Sequence, residues 1–234
     1  MILIPEKERL IIEQVLMNEV PLPPDWDGDI YNEKIPFTKR IAYAKERAKR
    51  LGSGSARVAF VIPYEGRETV LKIAKNKKGM AQNELEASIL GDRFVGEITI
   101  PMIDYDESSS SPTWIHTEKA EKASEKKLCQ IMKIPNLWWF VKASNTQTGN
   151  GSRYQRFGSV AAAHTAYFEE LPNATEEDYE HALKYVQEIS ELVSNFGILS
   201  DDFSHADNWG IWKGKPVVID VGFDEAIRDQ YYSR

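Results

Sequence analysis

The sequence has very little cysteine and histidine. It contains one cysteine, Cys129, and four scattered histidines among 234 residues. A single thiol cannot close an internal disulfide, and neither residue type has the spacing of a zinc site. Cys129 is therefore interpreted as a half-buried helix residue rather than a nucleophile. These absences predict a protein of a reducing compartment that has no cysteine-based metal centre.

Long apolar runs and an excess of positive charge are missing as well. No stretch approaches the ~20 apolar residues of a membrane-spanning helix. The charged residues at 6–9 interrupt the first apolar run, which argues against a signal peptide. The formal net charge is −7, whereas a general nucleic-acid binder normally has a basic surface. We therefore expect a soluble, cytoplasmic protein with neither a membrane nor a nucleic acid as its partner.

What the sequence does have is a glycine pair followed by two short strand patterns. Gly52 and Gly54 open a loop, the apolar run 58–62 is typical of a strand, and 69–74 is typical of its returning partner. Glycines let backbone N–H groups approach phosphate oxygens closely. Lys72 lies inside the returning strand, where an unpaired ammonium would cost free energy. It therefore needs an anionic partner from the protein or from a ligand.

The helix predicted after this strand offers such a partner. Glu84 and Glu86 are both candidates, but they lie about 200° apart around a helix, so only one of them can face Lys72. The spacing of the apolar pair Ile89 and Leu90 favours Glu86. We therefore predict an ion pair between Lys72 and Glu86. The alternative is that both glutamates are solvated.

A second group of polar residues lies near the end of the chain. Asp202 precedes Asn208 by a short loop, and the strand-like run 216–219 leads directly to Asp220. Carboxylate and amide oxygens suit Mg²⁺, which keeps waters and shares phosphate oxygens. A loop aspartate can also orient a hydroxyl nucleophile and accept its proton. The alternative is an ordinary β-hairpin with its turn at 213–215.

Together these stretches resemble the protein-kinase-like fold and, within it, the short kinase-like proteins of tailed bacteriophages. The resemblance covers 51–223. It implies an α+β fold with two lobes, a small antiparallel-sheet lobe and a reduced, mainly helical one. The matching segments are the Gly-rich loop at 51–54, the lysine strand at 70–72, the helix segment at 86–90, the strand leading into the adenine-binding hinge at 114–120, Asn208, and the Asp-Val-Gly triplet at 220–222.

The resemblance also implies a site for ATP and Mg²⁺. The implied catalytic residue is Asp202, and the implied metal ligands are Asn208 and Asp220. Lys72 would hold the α- and β-phosphates, and Glu86 would hold Lys72 in place. The full implied ATP-binding set is Gly52, Ser53, Gly54, Ser55, Lys72, Glu86, Glu118 and Ala120.

Several departures from the family pattern bear on activity. The third loop glycine is replaced by Arg57, and there is no His-Arg-Asp triplet. The position five residues before Asn208 is Phe203. Asp202 therefore fits the catalytic role only if the loop holds one extra residue and Phe203 turns inward. Otherwise the catalytic aspartate is missing.

The resemblance divides the chain into three parts. They are a helical N-terminal extension at 1–50, a small lobe at 51–120 with the loop, the lysine strand and the hinge, and a reduced large lobe at 121–234. In the extension, apolar spacing predicts helices over 6–18 and 38–51. These helices either pack on the small lobe or form a partner-binding arm.

Three functions are compatible with the sequence. The favoured one is an ATP- and Mg-dependent phosphotransferase of the protein-kinase-like type, acting on a Ser or Thr hydroxyl of a protein or on a small molecule. The second is a catalytically inactive kinase-like protein that docks on a host protein. The third is an unrelated α+β domain in which the motifs are accidental. Thermal stabilisation by nucleotide separates the third from the others, and phosphate transfer from labelled ATP separates the first from the second.

Overall fold

The computed structural model describes residues 26–27, 34–92, 95, 97–107 and 111–232. The helix predicted over 6–18 lies outside these residues. Within them, no helix is long and apolar enough to cross a membrane. The glycine-loop stretch and the acidic stretch near the end of the chain are both described in full.

The first described helix, α1, spans Phe37–Arg47 and is shorter than predicted. The prediction of a helix over 38–51 was wrong at its end, because the backbone becomes extended at Ala48 and Lys49–Ser53 form strand β1. Strand β1 gains ladder hydrogen bonds to the strand that follows. Such tertiary pairing overrides the helix propensity of a segment rich in lysine and arginine.

Five strands form an antiparallel sheet. Besides β1 they are β2 (Arg57–Tyr64), β3 (Arg67–Ala74), β4 (Met102–Tyr105) and β5 (Trp114–Glu118). Their order across the sheet is β1-β2-β3-β5-β4. The turn between β2 and β3 has positive φ at both Glu65 and Gly66, of 47° and 76°. That conformation matches the twist of the paired strands, so β2 and β3 stay in register from end to end.

Helix α2 spans Lys77–Leu90 and connects β3 to β4. Asn76 caps its first turn, because the side-chain oxygen accepts the N–H of Gly79 at 3.0 Å. Gly79 also lets the helix approach the glycine loop: a Cβ there would lie 2.2 Å from the carbonyl oxygen of Ala56. These contacts fix α2 beside the loop, with Glu86 buried.

After β5 the chain enters a mainly helical second lobe. Its helices are α3 (Glu125–Met132), α4 (Leu137–Thr148), α5 (Val160–Glu170), α6 (Glu176–Phe196) and α7 (Glu225–Tyr231). A three-stranded sheet joins β6 (Glu121–Lys122), β7 (Trp209–Trp212) and β8 (Lys215–Val218). Two short 3₁₀ helices, Ser200–Ser204 and Ala206–Asn208, lead into β7. Large buried aromatic side chains, among them Trp139, Tyr167 and Trp209, dominate the core of this lobe.

The structure has two hydrophobic cores. One packs around Phe60, Leu71 and Ile73 of the sheet, and the other packs around the aromatic cluster of the helical lobe and includes Ile89 of α2. The antiparallel sheet carries Lys72 on its third strand in chain order, and the helix after that strand carries the buried Glu86. A short connection after β5 then leads to the helical lobe. This is a bilobal, protein-kinase-like α+β fold, and the fold class predicted from the sequence is confirmed.

Cys129 lies half-buried in α3, as the sequence predicted. Burial and the neighbouring charge of Glu125 raise the pKa of its thiol to about 11. Because the thiolate is the reactive form, this shift disfavours reaction of the thiol at neutral pH.

Candidate active site

A cavity of about 400 Å³ lies between the glycine loop and the segment that follows β8. Its apolar walls include Ala59, Val70 and Ile100, which suit a flat organic ring. Most of the residues predicted to bind ATP line this single cavity. They are Gly52, Ser53, Gly54, Ser55, Lys72, Glu118 and Ala120, and the predicted metal ligand Asp220 lines it too.

The predicted ion pair between Lys72 and Glu86 is present. Lys72 Nζ donates to Glu86 Oε1 and, at 2.6 Å, to the carbonyl oxygen of Ile219. Glu86 is fully buried, whereas Glu84 is exposed and accepts a hydrogen bond from Ser111 at 2.8 Å. A buried carboxylate is strongly destabilising without a cation. The pair therefore holds the Lys72 ammonium at the cavity wall.

A second cation reaches the same carboxylate. Arg57 Nη1 donates to the other oxygen of Glu86 and, at 3.4 Å, to Asn83 Oδ1, while Arg57 Nη2 donates to Asp220 Oδ1. Burial alone would lower the pKa of Arg57, but the charges of Asp220 and Glu86 raise it above its ordinary value. Sequence reasoning missed this bridge. The only signal was a charged residue at a position where the family has glycine.

Asp220 follows β8, and 49% of its side chain is exposed. Desolvation would raise the pKa of its carboxyl, but the charges of Arg57 and Lys72 hold it below its ordinary value, so the group is ionised at neutral pH. Its Oδ2 accepts no hydrogen bond from any residue that the structure describes. A Cβ at Gly222 would lie 2.7 Å from the carbonyl oxygen of Gln82, so only glycine lets the loop pass this close to α2.

Phe203 turns inward in the loop before Asn208. It is fully buried against Trp209, with ring centroids 6.3 Å apart, and its carbonyl oxygen accepts the Trp209 indole N–H at 2.9 Å. Asn208 Nδ2 donates to the carbonyl oxygen of Asp202 at 2.9 Å. This is the loop conformation that the assignment of Asp202 requires.

Asp202 and its neighbour Asp201 have different surroundings. Asp202 is half-buried, and its burial and the charge of Asp220 raise the pKa of its carboxyl to about 6. Asp201 is exposed, and its Oδ2 accepts a hydrogen bond from Gln155 at 2.9 Å. A carboxylate with a pKa near the working pH suits a general base. The catalytic role of Asp202 stays a prediction.

The chain offers two oxygen donors for a divalent ion. The N–H of Ile219 donates to the carbonyl oxygen of Asn208 at 2.9 Å, which sets Asn208 beside the residue before Asp220. Since Asn208 Nδ2 is bound to Asp202, its Oδ1 is left as an acceptor. Across 34–92, 97–107 and 111–232, no cluster of three or more His, Cys, Asp or Glu could hold a metal alone. This donor set fits Mg²⁺, which takes most of its ligands from water and phosphate.

No protein-family model and no curated protein matches the chain. Among solved structures it is similar to aminoglycoside phosphotransferase APH(4)-Ia, at 14% identity over 80% of this chain and 71% of that one, with a TM-score of 0.35. It is also similar to APH(2")-IIa in a ternary complex with streptomycin and ATP, at 15% identity over 86% and 72% of the two chains, with a TM-score of 0.36. The chain spans 66% of the length of a similar apo structure, a thermostable mutant of APH(4)-Ia. The fold class and the site rest on the contacts described above, not on these likenesses.

Proposed function

We propose that the protein is an ATP-dependent phosphotransferase of the protein-kinase-like type that works with Mg²⁺. The observation that carries this proposal is the ion pair of Lys72 and Glu86 at the wall of a cavity that the glycine loop and Asp220 also line. A lysine fixed by a buried carboxylate beside a glycine loop is suited to a polyphosphate.

In this proposal the small lobe binds the nucleotide. Lys72 contacts the α- and β-phosphates, and backbone N–H groups of the loop 52–55 cover them. Adenine lies against the apolar wall and hydrogen-bonds to the backbone at Glu118 and Ala120. Because the N–H of Glu118 already donates to the Pro101 carbonyl at 2.9 Å, Glu118 offers its carbonyl oxygen and Ala120 its N–H.

The large lobe supplies the catalytic groups. Asp220 and Asn208 hold the Mg²⁺, which when bound neutralises charge on the phosphates. Asp202 orients the acceptor hydroxyl. As the acceptor oxygen bonds to the γ-phosphorus and the bond to the leaving ADP oxygen breaks, the hydroxyl proton passes to the Asp202 carboxylate.

The acceptor in this proposal bears a hydroxyl group. The bacteriophage resemblance favours a Ser or Thr of a host protein in the cytoplasm. The alternative is a small molecule. Aminoglycosides are one class to test, because one similar structure is an aminoglycoside phosphotransferase and another is a complex with streptomycin and ATP.

The second candidate is a kinase-like binding protein without turnover. It is favoured by the ion pair of Arg57 with Asp220, which occupies one of the two oxygens that a metal would use. Such a protein binds nucleotide, or a host protein, and transfers no phosphate.

Transfer of labelled phosphate from ATP decides between the two candidates. We expect the wild type to label an acceptor in a host lysate or in an aminoglycoside panel, and Lys72→Met to abolish the labelling. The matched control is Lys184→Met, which removes an exposed lysine of α6 and should change nothing. Labelling that survives in Lys72→Met would contradict the site. Nucleotide binding without labelling of any acceptor would favour the second candidate.

A further inference from the structure

Arg57 is a charged cleft residue to which the proposed reaction gives no role. It is the first residue of β2 and closes the glycine loop, since its carbonyl oxygen accepts the N–H of Gly54 at 3.0 Å. Its side chain lines the cavity, yet only 9% of that side chain is exposed. A buried guanidinium needs compensating anions, so its partners indicate its role.

The guanidinium joins carboxylates from the two lobes. One nitrogen donates to Glu86 on α2, and the other donates to Asp220, 163 positions further along the chain. The planar, forked guanidinium can serve two acceptors at once, which an ammonium cannot do with the same geometry. Lys72 takes the remaining oxygen of Glu86. Within this cluster of four side chains, two cations and two anions therefore balance before any ligand binds.

This balance bears on how many metal ions the cleft can hold. In protein kinases the corresponding aspartate and asparagine hold two Mg²⁺ ions between them. Here Asp220 Oδ1 is occupied by Arg57, and a guanidinium does not lose its proton in proteins. A second divalent ion at Asp220 would therefore share this carboxylate with the fixed positive charge of Arg57. In a partly buried site the repulsion between the two cations is strong.

We propose that Arg57 is a built-in cation that takes the place of a second metal ion, so that the cleft binds its nucleotide with a single divalent ion, which Asp220 and Asn208 would hold. This inference rests on the proposed function. In it Arg57 is a positioning residue: it orients Asp220, ties it to Glu86, and adds a positive charge near the phosphates.

A titration with Mn²⁺ in the presence of the non-hydrolysable ATP analogue AMP-PNP tests this inference. Free Mn²⁺ is read from its electron paramagnetic resonance signal. We expect a single Mn²⁺ per wild-type protein–nucleotide complex, a second Mn²⁺ in Arg57→Gln, and a single one in Arg57→Lys, which keeps the charge. The matched control is Arg47→Gln, which removes a surface arginine of α1 and should behave as the wild type.

The outcomes separate this inference from the proposed function. A second Mn²⁺ on the wild-type complex would overturn the inference and leave the proposed function intact. Failure of AMP-PNP to bind at all would overturn the proposed function and the inference with it. A second Mn²⁺ in Arg57→Lys would also overturn the inference, because the positive charge at position 57 would then not exclude a second ion. If Arg57→Gln does not fold, the wild-type stoichiometry still tests the inference, because a second Mn²⁺ there would overturn it.

Discussion

At the scale of single residues, Asp202 and Asp220 are two carboxylates in opposite environments. Asp220 lies beside Arg57 and Lys72, which hold its pKa below the ordinary value despite desolvation. Asp202 is half-buried near Asp220, and its pKa is raised to about 6. When the environment separates the pKa values of two carboxyl groups in this way, one group remains an ionised ligand and the other can exchange a proton.

Substitution of each carboxylate should therefore affect a different step. Asp202→Asn should lower kcat by about 100-fold or more and leave the Kd for Mg-ATP nearly unchanged, because the base acts on the acceptor. Asp220→Asn should weaken Mg-ATP binding itself, because it removes a proposed metal ligand. Steady-state kinetics and calorimetry measure the two effects. Asp201→Asn is the control and should be mild, since Asp201 bonds to Gln155. Full activity in Asp202→Asn would show that this loop position is not the base.

The raised pKa of Asp202 predicts how the rate depends on pH. The carboxyl must be deprotonated to accept a proton, so kcat/KM should fall tenfold per pH unit below about 6 and level off above it. Initial rates between pH 5 and pH 8 measure this profile. A profile that is flat across pH 6 would exclude Asp202 as the group that titrates.

The raised pKa of Asp202 also means that its ionised form destabilises the folded protein. Because the pKa is raised from 3.8 to about 6 on folding, the folded state binds more protons than the unfolded state between these values. Stability contributed by the protonated form is therefore lost as pH rises through about 6. After allowance for solvent screening, Asp202→Asn should raise the free energy of unfolding by about 1 kcal/mol at pH 7.5. At pH 4 the gain should be much smaller, which urea denaturation at the two pH values checks.

At the scale of elements, the sequence predicts what depends on local pattern. The strand pair β2–β3 and the position of Lys72 in it follow from apolar runs and turn residues. The inward turn of Phe203 comes instead from the kinase resemblance, on the condition that the loop holds one extra residue. Strand β1 does not follow from local pattern, because its segment has helix-forming residues and becomes a strand only by pairing with β2. The sequence also gives no signal of the close approach between α2 and the glycine loop, apart from one glycine, Gly79.

That approach makes Gly79 sensitive to substitution. In Gly79→Ala the new Cβ would lie 2.2 Å from the Ala56 carbonyl oxygen, and backbone cannot move away as a flexible side chain can. We expect a loss of about 2–3 kcal/mol in the free energy of unfolding, measured by urea denaturation. The control is Gly158→Ala, where a Cβ meets open space, with an expected change within about 0.5 kcal/mol. Equal effects at the two positions would show that the close approach is not what α2 depends on.

At the scale of the whole molecule, contacts between distant segments close the cleft. Lys72 reaches the Ile219 carbonyl across 147 positions, and Arg57 reaches Asp220 across 163. Helix spacing and the resemblance to kinases together predict Glu86 as a partner of Lys72, but no local pattern could supply the partners of Arg57. They depend on how the two lobes pack, which a single sequence does not record.

Nucleotide binding should be visible in the stability of the whole molecule. A ligand that binds only the folded state stabilises it by RT ln(1 + [L]/Kd). At a hundredfold excess over Kd, Mg-ATP should raise the melting temperature by about 5–10 °C. Lys72→Met should fold, because Arg57 still pairs with Glu86, and should lose this shift. No shift in the wild type at millimolar Mg-ATP would count against the cleft as an ATP site.

The shared carboxylate of Glu86 should let the protein fold after the loss of either of its two cations. Each of its two oxygens has its own cation, so loss of either Lys72 or Arg57 leaves the buried charge with one partner, and loss of both leaves it with neither. The double variant Lys72→Met/Arg57→Gln should therefore lose about 1–3 kcal/mol more than the sum of the single losses, which a double-mutant cycle measures. During evolution the cation that pairs with Glu86 could therefore change from lysine to arginine, or back, through intermediates that all fold.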